Sequence, residues 1–210
     1  EGQPVPVAGG RLLVAWLVCA LPVLMGFVLP VVFMLRPLAA DWSVLPWDRF
    51  LQWAVNSLRL GALSAALAVL LALALAFRLR RGGGGVARGV VQLAGLGYAV
   101  PGAVLVVGLL LPVGWVQQTW PQSAVGYWMT ATILGIVWAY LVRFVSVALQ
   151  SVQSGYARIP ASLDDSARML GASGAMLMAR VHWPLLKRSA AAAGLLVFVD
   201  VMKELPATLV

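Results

Sequence analysis

Apolar residues fall in five long runs along this chain, separated by shorter polar segments. The runs cover about residues 12–35, 55–77, 90–112, 127–149 and 190–210. A helix needs about 20 mostly apolar residues to cross a hydrocarbon core of about 30 Å, so each run is long enough to span a membrane. Their richness in Leu, Ala, Val and Gly favours helices over the alternating strands of a membrane barrel. The pattern predicts an all-α, polytopic integral membrane bundle of about five transmembrane helices, with 1–210 as one transmembrane domain.

Composition supports a membrane protein. Of the 210 residues, 62% are hydrophobic and 10% are charged, and the mean hydropathy is +0.94. The net charge is +8, and the basic residues that produce it lie between apolar runs rather than on a polar domain. We therefore expect no nucleic-acid partner. Cys19 and His182 are the single cysteine and histidine, which excludes a disulfide or a Cys/His metal cluster within one chain. No cofactor and no firm metal site are expected in this chain. The first apolar run is too long for the hydrophobic region of a signal peptide, so it is expected to be a retained membrane helix.

Basic residues in the connecting segments predict the orientation of the helices. The segments 78–89 and 150–189 carry nine arginines and lysines, whereas 36–54 and 113–126 carry two. Because cytoplasmic loops retain an excess of Lys and Arg, we expect the segments 78–89 and 150–189 to lie on the cytoplasmic side of the membrane. Val210 is then expected on the opposite side. Tryptophan and tyrosine near the ends of the runs are expected to anchor the outer interface. Arg143, near the inner end of the fourth run, is expected to snorkel to the inner one.

Two glycine-containing features in the first half of the chain have simple interpretations. Pro101-Gly102 predicts a kink in the third run, which serves either packing or a hinge. The glycines at 82–85 lack the Lys-Ser/Thr of a phosphate-binding loop, so they predict a flexible connection. Any ATP hydrolysis then comes from another polypeptide.

The segment 150–189 is too polar to span a membrane and too patterned to be a linker. A short helix is predicted from about 163 to 170, capped by Ser162 and closed by Gly171. A second short helix is predicted from 175 to about 181, ended by Trp183-Pro184. The two form a hairpin outside the membrane, a shape that seats in a groove on a partner protein.

The spacing of residues in this segment resembles a known cytoplasmic motif. Asp165-Ser166-Ala167, Gly171 and the stretch 181–184 follow the pattern Glu-Ala-Ala, three residues, Gly, nine residues, Ile-x-Leu-Pro. That pattern is typical of MetI-like permeases of binding-protein-dependent ABC importers, whose loop inserts a coupling helix into a cleft of the ATPase. The resemblance implies the following ATPase-coupling residues: Asp165, Ser166, Ala167, Gly171, Val181 and Pro184. His182 receives no catalytic role and is expected to meet a backbone group or a lipid headgroup.

Charged residues interrupt the last apolar run. Asp200, Lys203 and Glu204 are spaced i, i+3 and i+4, which predicts one helix face near the middle of the bilayer. They either fix helix packing as an ion pair or line the translocation pathway, and their depth favours the pathway. Glu204-Leu205-Pro206 is expected to break the helix there.

The amino-acid sequences of residues 98–103 and 199–209 resemble those of ferric-iron ABC permeases. These permeases usually join two homologous halves in one chain, and the resemblance is to the second half. The resemblance implies import of iron(III) and a sixth span missing at the C-terminus. It also implies an ABC ATPase dimer carrying ATP and Mg, a periplasmic substrate-binding protein, a second permease half or homologous permease, and a multi-pass place in the bacterial inner membrane. The chain itself is expected to be a transport subunit and not an enzyme.

Other functions stay open at this point. The same class of permease also serves thiamine, sulfate, molybdate and polyamines. A proton-coupled secondary carrier would use the Asp-Lys-Glu group of the last run and would need no ATPase. A membrane hydrolase ranks last, because the chain offers no HExxH motif and a single histidine for a catalytic triad.

Overall fold

The computed structural model describes residues 9–43, 46–130 and 132–204. Within these ranges the chain forms α-helices and no strand, which confirms the predicted all-α class. The helices are α1 (Gly10–Val23), α2 (Leu29–Ala40), α3 (Trp47–Arg80), α4 (Gly85–Leu96), α5 (Gly102–Thr119), α6 (Val125–Thr130), α7 (Ile133–Tyr156), α8 (Ala161–Met169), α9 (Gly174–Met176) and α10 (Trp183–Lys203).

In the described residues, four helical stretches are long and apolar enough to cross a membrane. They are Gly10–Ala40, α3, α5 and α7. The first two contain the predicted runs 12–35 and 55–77. The predicted fifth span at 190–210 overlaps α10, which is not among the four because charged residues lie near both of its ends. That span stays a prediction, and residues 205–210 lie outside the described ranges.

The predicted third and fourth spans differ from the structure at their boundaries. The run 90–112 is not one kinked helix, because α4 ends at Leu96 and α5 begins only at Gly102. A 3₁₀ turn and an extended Val100, with ψ of 127°, separate the two. The ring of Pro101 disfavours the helical conformation at the residue before it, so the helix is interrupted rather than bent. The fourth span begins at Ile133 instead of 127, where Thr132 caps α7 by accepting a hydrogen bond from Leu134 N–H at 3.2 Å.

The described residues divide into two compact units, one up to Gln52 and the other from Trp53 onward. In the first unit, α1 and α2 belong to one helical stretch that carries no buried residue. In the second, α7 and α10 pack along each other, and α3 contributes the small buried residues Ala65, Ala68, Ala72 and Ala76. Small side chains let helix backbones approach closely, which is the usual packing of helices in lipid.

Pro30 and Pro184 each follow a π-helical turn and lie within a long helical stretch that they do not end. A π-helical turn covers Leu177–His182 immediately before Trp183-Pro184, and the backbone N–H of Trp183 donates to the carbonyl of Met178, five residues earlier. The prediction that Trp183-Pro184 ends the second short helix is therefore wrong, since the chain stays helical from Gly174 to Lys203. The wide turn removes the clash that a proline ring makes with the preceding turn of an α-helix. The turn Leu24–Val28 precedes Pro30 in the same way.

Candidate functional site

Residues 161–182 form a helical hairpin, made of α8, a short connection and the start of the helical stretch that continues into α10. The predicted helix at 163–170 is present but begins two residues earlier, at Ala161. Ser162 is not its cap: Pro160 occupies that position in an extended conformation, and no side chain caps the helix. On the second arm, the hydroxyl of Ser173 accepts a hydrogen bond from the N–H of Met176 at 3.3 Å.

Gly171 closes α8 as the sequence predicts. Its φ is +80°, in the left-handed region that glycine adopts without steric cost. The N–H of Gly171 donates to the carbonyl of Arg168 at 2.9 Å, and the N–H of Ala172 donates to that of Ala167 at 3.0 Å. These two bonds define a Schellman motif, which satisfies the last carbonyls of the helix and reverses the chain.

Asp164 is the centre of a buried group of side chains that we call the Asp164 cluster: Arg80, Tyr156, Asp164 and His182. The Arg80 guanidinium donates to both carboxylate oxygens of Asp164, at 2.7 Å from Nε and 3.1 Å from Nη2. His182 lies 3.0 Å from the same carboxylate through Nε2 and 3.2 Å from the Tyr156 hydroxyl through Nδ1. Arg80 also donates to three backbone carbonyls of the segment 156–160. The cluster thereby ties α8 to the ends of α3 and α7 and to the π-helical turn before α10.

The charges of the cluster decide the ionisation of Asp164. Its burial favours the neutral acid and would raise the pKa of the carboxyl. Hydrogen bonds from Arg80 and His182 and the positive charge of Arg80 outweigh burial, so the pKa of Asp164 lies below its ordinary value. Asp164 is therefore an ionised acceptor at neutral pH, and a bidentate arginine bond to it is among the stronger polar contacts in proteins.

His182 occupies a different environment from the one predicted. Its side chain is fully buried and contacts side chains of the Asp164 cluster, not a headgroup or a backbone group. Because an ionised carboxylate only accepts, His182 Nε2 carries the hydrogen that it donates to Asp164. In the neutral ring Nδ1 then accepts from the Tyr156 hydroxyl. Nothing in the sequence pairs His182 with Asp164, because 18 positions separate the two residues and the burial of His182 depends on the fold.

The hairpin presents an apolar tip to solvent. Met169 and Leu170, which we call the apolar tip, are 90% and 88% exposed. Of the predicted coupling residues, Asp165, Ser166 and Gly171 are exposed on the same arm and its turn, and Ala167 is partly buried. Asp165 forms a loose ion pair with Arg168 at 3.6 Å. Val181, partly buried, and Pro184, exposed, lie on the other arm near the base.

The charged residues of the last run do not act as one group. Lys203 lies 3.9 Å from Asp200 and is largely exposed, and α10 ends at Lys203. Glu204 lies beyond that end and pairs with Arg143 of α7, whose Nη2 is 3.3 Å from its carboxylate. The expectation that Arg143 snorkels to the interface is therefore wrong. Leu205 and Pro206, predicted to break the helix, lie outside the described residues.

The Arg143–Glu204 pair sits against the break between α4 and α5. Arg143 Nη1 donates to the carbonyl of Val100 at 3.1 Å. Both side chains of the pair cover Gly102, where a Cβ would collide with them. A larger residue at position 102 would displace the ends of the Glu204 and Arg143 side chains, so the glycine suits the close approach of this pair to the start of α5.

Comparison with protein-family models and with curated proteins gives no match for this chain. Over residues 9–43, 46–130 and 132–204, no group of three or more His, Cys, Asp or Glu side chains is arranged to hold a metal ion.

Proposed function

We propose that this chain is the permease subunit of a binding-protein-dependent ABC importer, and that the hairpin 161–182 docks into its ATPase. The observation that carries the proposal is the apolar tip, which is held out into solvent on a hairpin whose base is fixed by the Asp164 cluster. An exposed apolar pair on a polar element is typical of a surface that contacts a partner. The motif spacing at 165–184 supports the ATPase as that partner.

The Asp164 cluster gives the hairpin a route for transmitting force. Arg80 is the last residue of α3, Tyr156 is the last residue of α7, and His182 directly precedes α10. A displacement of α8 therefore reaches three helices through direct hydrogen bonds rather than through flexible connections. This arrangement suits a subunit without ATP hydrolysis of its own, driven by ATP and Mg bound to a partner ATPase dimer.

The cargo and the remaining partners follow from the sequence resemblance. We propose a multi-pass subunit of the bacterial inner membrane that pairs with a second permease half or a homologous permease and receives cargo from a periplasmic binding protein. Ferric iron is the cargo that residues 98–103 and 199–209 favour. Asp200, Lys203 and Glu204 stay the proposed pathway residues, with Glu204 now joined by Arg143.

The test is docking of the ATPase onto the apolar tip. Candidate ATPases are co-purified with the chain in detergent and then assayed for stimulated ATP hydrolysis after reconstitution. Met169→Ser with Leu170→Ser is expected to remove both association and stimulation. Val86→Ser is the matched control, because Val86 is 84% exposed but lies outside the hairpin.

Two results would contradict the proposal. Unchanged ATPase association in the double variant would remove the apolar tip from the contact. Uptake that needs no ATPase and collapses with the proton gradient would instead identify a secondary carrier.

A further inference from the structure

A cavity of about 700 Å³ lies between α3, α5, the end of α6 and the first turns of α7. Its inner wall is apolar and includes Val106, Leu110 and Ile136. Its rim on α3 is polar, formed by Asn56, Ser57 and Arg59. The cavity therefore combines an apolar interior with a few polar groups at one side, as small-molecule sites commonly do.

The rim offers hydrogen-bond donors and one positive charge. Arg59 is exposed and forms no salt bridge within the described residues, and none of the described residues that line the cavity is acidic. The hydroxyls of Thr130 and Thr132 already donate to backbone carbonyls, so they present acceptors only. The donors left for a ligand are those of Asn56, Ser57 and Arg59. This donor set complements an anion and repels a bare cation.

The cavity ends close to the Arg143–Glu204 pair. Ala139 lines the cavity, and Arg143 lies four residues further along the same face of α7. Val106 lines it from α5, and Gly102, covered by the ion pair, lies four residues earlier on the same face. Four residues correspond to about one helical turn, or about 6 Å. The Arg143–Glu204 pair thus lies about one helical turn beyond the cavity wall and next to the break between α4 and α5.

We propose that this cavity binds a small soluble anion, either an inorganic oxyanion or a negatively charged metal chelate, with Arg59 as its principal ligand. The planar guanidinium binds oxyanions and carboxylates through two parallel hydrogen bonds, and Asn56 and Ser57 add donors from the same helix. Naming this anion as the cargo rests on the proposed import function. The inference replaces the bare ferric ion by an anionic species as the expected cargo.

The test measures binding directly. The purified chain, in nanodiscs of neutral phosphatidylcholine, is titrated with radiolabelled sulfate and with ⁵⁵Fe-labelled ferric citrate, with thiamine as a cationic control. Saturable binding of one of the two anions identifies which kind of anion the site takes. Arg59→Gln is expected to weaken that binding about 10- to 100-fold, since a hydrogen-bonded charge is lost. Arg59→Lys is expected to retain part of the affinity. Arg49→Gln, on the same helix but outside the cavity lining, is the matched control and is expected to bind as the unmodified chain does.

Three outcomes would overturn the proposal. They are no saturable binding of either anion, equal losses in Arg59→Gln and Arg49→Gln, and displacement of the anion by phosphatidylglycerol in the nanodisc, which would assign the cavity to a lipid phosphate. Failure here is distinguishable from failure of the importer proposal. ATPase coupling through the apolar tip with no anion bound would reject only the cavity, whereas anion binding without a coupled ATPase would reject only the importer.

Discussion

Replacing Asp164 by asparagine removes one charge from the centre of the Asp164 cluster with almost no change of shape. The carboxylate accepts two hydrogen bonds from Arg80 and one from His182, all at 3.1 Å or less. Removing one partner of a buried ion pair lowers the free energy of unfolding by about 3–5 kcal/mol. A hydrogen bond to a charged group contributes about 1.5–3 kcal/mol to that free energy. Arg80 keeps three backbone acceptors, so we expect a loss of about 2–3 kcal/mol, which is less than the cost of leaving a buried partner without any acceptor.

Hydrogen exchange of residues 161–182 in detergent measures this loss locally. A reduction of about 2–3 kcal/mol in the free energy of opening corresponds to about 30- to 150-fold faster exchange. Asp165→Asn is the matched control, because Asp165 is exposed and its ion pair with Arg168 is loose. An exposed pair of this kind contributes less than about 1 kcal/mol. Equal exchange rates in the two variants would refute the reasoning that the buried carboxylate holds the hairpin.

The remaining predictions concern pH, the turn at Gly171 and the Arg143–Glu204 pair. The depressed pKa of Asp164 adds stability that is complete above its unfolded value of about 3.9 and is lost as pH falls through the lower folded value. Hairpin protection in pH-dependent exchange should therefore stay level from neutral pH down to about 5, and a loss centred near pH 6 would contradict the assignment. Gly171→Ala should destabilise the hairpin by about 1–2 kcal/mol through its positive φ alone, since a Cβ there meets no atom within 4 Å. Gly82→Ala is its control, because Gly82 also has a positive φ and free space around its Cβ position. Gly171→Ala should lower ATPase stimulation, whereas Gly82→Ala should leave it intact. An equal loss of stimulation in both variants would reject a specific role for the turn at Gly171. In thermal unfolding, Glu204→Gln should lower stability more in the unmodified chain than in an Arg143→Met background, and equal losses would show that the two side chains are uncoupled.

The sequence predicts those features that depend on neighbouring residues. The first two apolar helices follow from hydrophobic run length, and the closure of α8 follows from a glycine after an amphipathic turn. Asp164 lies in the first turn of α8, where the helix dipole favours an acidic residue.

The features that the sequence does not predict depend on contacts between distant residues or on an alternative local geometry. Arg80 and Asp164 are 84 positions apart, and no periodicity relates them. Arg143 is predicted to snorkel because a lone arginine in an apolar run has no visible partner, yet folding brings Glu204 to it. Pro184 is predicted to end a helix because a proline ring clashes with the preceding α-helical turn, whereas a π-helical turn precedes it and the helical stretch continues.

The π-helical turn at Leu177–His182 holds one residue more than an α-helix would need over the same rise. Deleting one exposed residue there, such as Ala179, would let the turn relax to α-helical geometry. Each residue of an α-helix rotates the chain by about 100°, so His182 would turn by that angle relative to the hairpin residues before the deletion. His182 would then point away from Asp164 and Tyr156, although no residue of the Asp164 cluster had changed. The number of residues in this π-helical turn is therefore a stricter requirement than the identity of its exposed residues, and the turn should accept substitutions there far more readily than changes of length.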